Sequence, residues 1–323
     1  LSGNEEKLAV LSGSRLYDMA ALHASLPSTM EAFLRGWDDF YPLAVQSKPA
    51  GAGIPLDDVR LCSPVPHPTS LRDGYAFRQH VAAARRNRGV DMIEAFDVFP
   101  VFYFGNHQAV QGPGDIHCMP DHFEKLDYEL ECAIVICRQG RDIPAAEADS
   151  YIGGLMIMND MSARTLQMEE MQLSLGPAKG KDFSTALGPW LVTPDELQSH
   201  ETPCKPGHTG TSWNLEMTAS INNIALSKGN LSDMDWTFAE LIERASYGVT
   251  LYPGDVIGSG TVGTGCLLEL NGTGRRENPG YKEQWLRPGD EVELAITGLG
   301  KLRNNIVSQP TRWSILHQKK TNA

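Results

Sequence analysis

Residues 125–135 read KLDYELECAIV, and the two halves of this stretch follow different rules. Asp127, Glu129 and Glu131 alternate with Tyr128, Leu130 and Cys132. Residues two apart in a strand share a face, so one face is acidic and the other apolar. From Cys132 through Ile136 the run is continuously apolar, the pattern of a strand covered on both sides. Two readings are open. In one, the acidic half faces water. In the other, the acids are buried and hold a cation, because an unpaired buried charge is costly. The second reading needs more ligands elsewhere in the chain.

Working outward, the chain of 323 residues is long enough for a large core. It carries 40 acids against 28 bases, a formal net charge of −12. That balance argues against a general nucleic-acid or anionic-membrane surface. Small anionic substrates stay open, since local cations decide what a pocket accepts. No apolar run has transmembrane length, and no signal-peptide core is visible. The six cysteines (Cys62, Cys118, Cys132, Cys137, Cys204 and Cys266) are scattered, with no C-x-x-C pair. Free thiols in a reducing, cytoplasmic compartment are the expectation. The sequons at Asn230 and Asn271 then carry no meaning.

The organisation is uneven. Residues 1–58 are expected to form a short accessory segment, with a strand-like KLAVLSG and a helical STMEAFLRGWDDF, closed by the linker-like KPAGAGIPLDD. Residues 59–323 are expected to form one larger domain. Within it VRLCSPVPHP reads as a strand closed by prolines, and PTSLRDGYAFRQHVAAARRNRG as a helix with Ser70 and Asp73 as capping candidates and Gly89 as its stop. Short strands then alternate with Gly/Pro turns: PVFYFG, ELECAIVIC, LEMTASINN, DVIGSGTV, CLLELNG and EVELAITGLG. Helices are expected after a Gly153-Gly154 turn and at DWTFAELIERAS. A β-rich α+β fold with a few covering helices follows.

Further acids are available. Asp160 sits in IMNDMSARTLQ and Asp73 in LRDGYAFRQH. With Glu129 and Glu131 they make an all-oxygen set, which suits Mg²⁺, Mn²⁺ or Ca²⁺ rather than zinc. Nothing in the spacing alone brings these segments together.

The motifs together resemble the fumarylacetoacetate hydrolase family. RDGYAFRQH is similar to its Asp-x-Tyr…His segment, DYELE to its Glu-x-Glu strand, NDMSARTLQ to its Asn-Asp-x-Ser-Ala-Arg-x-x-Gln segment, GPAKGKDFSTALGPW to its Gly-Lys-x-Phe loop and GSGTVGTGCLLEL to its Ser-Gly-Thr…Glu hairpin. The resemblance runs from about Arg60 to about Val307, in the family's order. It implies a mixed β-roll carrying the active site, and a homodimer. It implies that Asp73, Glu129, Glu131 and Asp160 hold Mg²⁺, or alternatively Ca²⁺ or Mn²⁺. It implies His80 as general base, Glu269 as the group that orients it, and Arg164, Gln167 and Lys181 on the other side of the substrate. Tyr75, Tyr103 and Thr261 would contact substrate oxygens.

Spacing adds some support. On a helix Asp73 and His80, seven apart, share a face, and so do Arg164 and Gln167, three apart. The implied activity is hydrolysis of the C–C bond of a 1,3-dicarbonyl, fumarylacetoacetate- or acylpyruvate-like, by water that His80 and Glu269 activate. The alternatives are a same-fold oxo-acid decarboxylase, hydratase or isomerase of aromatic-compound catabolism, and a non-enzymatic cation-binding protein. Two departures touch substrate identity. RRNRG offers Arg85, Arg86 and Arg88 without a clean register for the arginine that follows the family's His, and EEMQ stands where the hydrolase has a tyrosine. Finally, GSGTVG at 258–263 is a literal G-x-G-x-x-G. A dinucleotide site needs a helix next, and the expected strand at CLLEL argues against one.

Overall fold

The computed structural model describes residues 6–320. Its centre is a seven-stranded mixed sheet in the order Phe102–Gly105, Ser70–Gly74, Asp255–Gly258, Leu130–Ile136, Ile152–Asp160, Thr185–Val192, Val110–Gln111. The acidic strand Leu130–Ile136 lies in the middle, antiparallel to Ile152–Asp160 on one side and to Asp255–Gly258 on the other. Asp255–Gly258 runs parallel to Ser70–Gly74. A second sheet has five strands, in the order Ile224–Asn230, Glu216–Ile221, Glu291–Ile296, Gly300–Ser308, Gly114–Cys118. The expected β-rich α+β roll with covering helices is the fold observed.

Parity explains the layering. Leu130, Cys132, Ile134 and Ile136 point one way and join a core with Met217, Ala219, Leu294 and Ile306 of the second sheet and with the helix Phe238–Ser246. Thr237 and Glu240 close a capping box at the start of that helix. Ala133, Val135 and Cys137 point the other way, beside Met156, Met158, Leu71 and Val256. Onto this second face pack Met19, Leu26, Phe33, Leu34 and Trp37 from the N-terminal segment. That segment contains a small sheet, Ala9–Ser12, Arg15–Asp18 and Ile54–Pro55, and the helices Met30–Arg35 and Trp37–Gln46, parted at Gly36. The N-terminal residues cover only one half of the face. Continuing each strand with the same parity leads from Leu71 to Asp73, from Ala133 to Glu131 and Glu129, and from Met158 to Asp160. The uncovered half is acidic.

Several local expectations fail for identifiable reasons. Residues 59–68 form no strand; Pro64, Pro66 and Pro68 lack the N–H that a ladder needs. Ser70 and Asp73 are strand residues rather than helix caps, and the helix begins only at Arg78. Asp73 and His80 therefore lie on a strand and a helix, not on one helical face. Gly153 and Gly154 lie inside the strand Ile152–Asp160, at a register shift, not in a turn. A Cβ on Gly154 would come within 2.6 Å of the Leu191 side chain, so the glycine permits close strand packing. The stretch CLLELNG is helical: Leu267–Glu277 is a helix. Short apolar runs do not distinguish strand from helix by period.

Candidate active site and metal centre

The ends of the central strands meet at one point. Met158 pairs with Glu131, which sets Asp160 beside Glu129; the Asp160 N–H donates to the Glu129 carbonyl at 3.3 Å. Asp73 pairs with Gly258 across the parallel ladder. A Cβ on Gly258 would lie 2.4 Å from Asp73 Oδ1, so glycine here makes room for the carboxylate. The Gly260 N–H donates to the same oxygen at 3.0 Å. Carboxylate oxygens of Asp73, Glu129, Glu131 and Asp160 all fall within 4.8 Å of one another, and all four residues are buried. The water-facing reading of the acidic strand is thus excluded: Asp127 and Glu131 are 0% exposed and Glu129 5%.

The electrostatics show a surplus of negative charge. Burial, with Asp160 nearby, pushes Asp73 up to about 7. Burial and the neighbours Asp73 and Glu129 raise Glu131 well above the usual carboxylate range. Burial also raises Asp160, although Lys181 works against it. Glu129 goes the other way: burial opposes its charge, but Lys181 and Arg164 together hold it low. Lys181 Nζ bridges the cluster, bonded to Glu129 and at 2.5 Å to Asp160 Oδ2. Glu131 Oε2 is buried without a hydrogen-bond partner among the described residues. An orphaned carboxylate oxygen, an all-oxygen donor set and a lysine already bridging two members all fit a hard divalent cation.

Around the cluster the other expected residues take distinct places. Tyr103 donates its hydroxyl to Asp160, and Thr261 donates to Glu131 Oε1 at 3.2 Å. Both hydroxyls thus orient carboxylates. Arg164 is buried and committed: Nε and Nη2 donate to Asp127 Oδ2 at 2.8 and 2.7 Å, Nη2 to Glu129 Oε1 at 2.8 Å, and Nη1 to Gln167 Oε1 at 3.0 Å. Gln167 lies one turn along the same helix, Arg164–Met171. Its acceptor is taken, and its amide N–H₂ remains to donate.

His80 sits on the helix Arg78–Asn87 and is buried. Its Nδ1 lies 2.6 Å from Glu269 Oε2. Glu269 Oε1 in turn accepts the Thr264 N–H at 3.0 Å, so both carboxylate oxygens are fixed. The ring edge of Tyr75 approaches His80 at 6.0 Å between centroids.

Asp127 was not expected to act here. It is fully buried and accepts the Leu267 and Leu268 N–H groups at 2.7 and 3.0 Å. One carboxylate thus caps the helix that carries Glu269 and grips Arg164. This also corrects the argument against a dinucleotide site. A helix does follow Gly258–Gly263, but Asp127 already occupies its N-terminal donors. Asn159, also unflagged, accepts the Glu129 N–H at 3.2 Å. The alternation of acids marked Asp127 in the sequence; its helix-capping role depends on residues far along the chain.

The sequence model of the fumarylacetoacetate (FAA) hydrolase C-terminal family matches residues 69–307. The chain belongs to that family. Oxaloacetate tautomerase YisK of Bacillus subtilis is 31% identical over 256 residues, 78% of this chain and 74% of that protein. Among solved structures, 5-carboxymethyl-2-hydroxymuconate delta-isomerase of Mycobacterium smegmatis is similar with a TM-score of 0.62 and 26% identity, covering 94% of each chain. Maleylpyruvate hydrolase of Sphingobium sp. SYK-6, in complex with manganese(II) and pyruvate, shares the fold at a TM-score of 0.67 and 22% identity, covering 94% of this chain and 96% of that one. The chain is thus an enzyme of a family whose members include hydrolases, isomerases and a tautomerase. No helix among the described residues is long and apolar enough to cross a membrane.

Proposed function

We propose that this enzyme hydrolyses the C–C bond of a 1,3-dicarbonyl acid of the acylpyruvate or fumarylacetoacetate type, with a divalent cation held by Asp73, Glu129, Glu131 and Asp160. The observation that carries hydrolysis is the buried His80–Glu269 pair at 2.6 Å. A cation held by these carboxylates would supply Lewis acidity to the substrate's carbonyl oxygens and to the enolate charge that develops as the bond breaks. His80, with Nδ1 on Glu269, leaves Nε2 to take a proton from water. Glu269 fixes that tautomer and stabilises the imidazolium that results. The same ring then returns the proton to the departing enolate carbon. The Gln167 amide is a donor for the tetrahedral oxyanion. Arg164 does not serve as a free oxyanion donor in this scheme; it positions Glu129 and Gln167. Tyr75 remains a substrate contact, while Tyr103 and Thr261 hold metal-ligating carboxylates in place.

A second reading has its own support. The 31% identical relative is an oxaloacetate tautomerase. Keto–enol exchange needs a proton moved between carbon and oxygen, and His80 can do that without water. A product assay separates the two. Acylpyruvates and oxaloacetate are incubated with Mg²⁺ in heavy-oxygen water. Hydrolysis releases two carboxylic acids, one carrying a solvent oxygen. Tautomerisation changes the enol absorbance and releases no acid, and that outcome on every dione would replace the hydrolase reading.

A further inference from the structure

We propose that His80, Cys266 and Glu129 form a second, soft-metal site, through which zinc inhibits the enzyme. A ring nitrogen of His80, the Cys266 sulfur and a Glu129 carboxylate oxygen all lie within 4.8 Å of one another, and all three residues are buried. Nitrogen, sulfur and oxygen donors together are a zinc set, unlike the all-oxygen cluster next to it. Zinc bonds of about 2.0–2.3 Å place ligand atoms roughly 3–4 Å apart, so closing the site needs only small side-chain shifts.

Two features prepare the site. Nδ1 of His80 is already fixed by Glu269 at 2.6 Å, which leaves Nε2 to ligate. A carboxylate on the far nitrogen is the usual support of a zinc-binding histidine. Glu129 accepts one N–H on each oxygen, from Arg164 and Lys181, and each oxygen keeps a lone pair for a metal. Cys266 stands at the first residue before the Glu269 helix and makes no side-chain capping bond. On binding, the thiol proton leaves to solvent and the sulfur lone pair forms the metal bond; nothing is oxidised.

The consequence follows from shared residues. Zinc on Nε2 occupies the lone pair that the proposed base needs, and it draws on Glu129, a member of the carboxylate cluster. The inhibitory effect rests on the proposed role of His80, whereas metal binding stands on the geometry alone.

Cobalt(II) distinguishes these cases, because only a thiolate ligand gives a sulfur-to-cobalt charge-transfer band. Metal-stripped protein with excess Mg²⁺ is titrated with Co²⁺ and, in the product assay, with Zn²⁺. The wild type should show the near-ultraviolet band and lose activity. Glu131→Gln, which disturbs only the carboxylate cluster, should keep the band, so failure of the Mg²⁺ reading leaves this one testable. Cys266→Ser and Cys266→Ala should lose the band, keep basal activity, and need at least about tenfold more Zn²⁺ for inhibition, the lower end of the loss seen even for outer-shell changes. Circular dichroism checks that the variants fold; if neither Cys266 variant does, loss of the band in His80→Ala supports the site and its persistence overturns it. Absence of the band in the wild type, or unchanged zinc sensitivity in folded Cys266 variants, overturns the proposal.

Discussion

Two halves of one sheet face are treated in opposite ways. At one half Leu71, Val135, Met156 and Val256 meet Phe33, Leu34 and Trp37 of the N-terminal segment. Ring stacks tighten that contact, with Trp37 on Tyr41 at 4.5 Å and on the Phe33 edge at 5.7 Å. At the other half the same strands, with the same parity, end in Asp73, Glu131, Glu129 and Asp160. Apolar burial stabilises the first half at about 25 cal/mol per Å². The second half concentrates like charges in a buried place, which costs stability unless a cation is present. One half holds the fold, and the other concentrates charge that the fold must tolerate.

This contrast can be broken by a pair of substitutions. His80→Ala at the acidic half should lower turnover by roughly 10²–10⁴-fold, the usual contribution of a general base, and should also lower the melting temperature, because it leaves the buried Glu269 carboxylate without its partner. Trp37→Ala at the apolar half should cost about 3–5 kcal/mol of stability and leave turnover per folded molecule unchanged. Steady-state rates and thermal melts on both variants check this. A rate loss in Trp37→Ala without unfolding would mean that the halves are coupled, and wild-type turnover in His80→Ala would remove the base.

The strand core was legible in the sequence, whereas the apolar half was not: Leu71 lies in a stretch read as helix and Met156 in one read as following a turn, and both are strand residues. Leu130–Ile136 was read from its continuous apolar run, and the helix Phe238–Ser246 lies within the stretch DWTFAELIERAS read as helical. The acidic half was legible as a set of residue types, but its assembly came only through the family resemblance. Elements whose local signal is ambiguous were misread. Ser70 and Asp73 look like caps because short polar side chains suit both caps and strand ends. Leu267–Glu277 looks like a strand because its start is fixed from outside, by Asp127, which lies 140 residues earlier than Leu267. No window of sequence around Leu267 contains that carboxylate. Gly154 read as a turn because its partner, Leu191, is likewise remote.

A smaller effect sharpens the electrostatic side of the contrast. Glu131→Gln removes one charge from the cluster and the oxygen that has no partner. Its cation affinity should fall by at least about 10–100-fold, the loss seen for changes merely adjacent to a metal. In metal-free protein the same change should raise stability, because an amide does not incur the cost that burial and the neighbours Asp73 and Glu129 impose on a carboxyl group there. Calorimetric titration with Mg²⁺ or Mn²⁺ measures the first and thermal melts the second. Unchanged affinity would remove Glu131 from the metal centre, and a lowered melting temperature in metal-free protein would show that the acids are not in conflict.

The smallest effect is a pH dependence in which the buried acids of the cluster and a buried histidine oppose each other. Asp73 has its native pKa raised to about 7, above the ordinary 3.8. As pH falls from about 7 toward 4, the native state takes up this proton first, so metal-free protein gains stability. His122 does the reverse. Burial, with Lys179 nearby, holds it down at about 4 against an ordinary 6.5, and its Nδ1 accepts the Met119 N–H at 3.2 Å. As pH falls from 6.5 toward 4, the unfolded chain takes up that proton first, and stability drops by up to about 1.4 kcal/mol per pH unit. Below pH 6.5 the two slopes offset, which flattens the wild-type profile. His122→Asn keeps an acceptor for Met119 and cannot charge, so its stability should rise on acidification. Asp73→Asn should remove the Asp73 share of the acid-side gain, leaving the raised Glu131 and Asp160 to oppose His122, so its profile should fall more on acidification than that of the wild type. Saturating Mg²⁺ keeps the cluster ionised, so it should tilt the wild-type profile toward that of Asp73→Asn. Thermal melts of metal-free protein between about pH 8 and pH 5 test this order. Coincident wild-type and Asp73→Asn profiles would mean that Asp73 stores no repulsion in the acidic half, and the electrostatic side of the contrast would rest on Glu131 and Asp160.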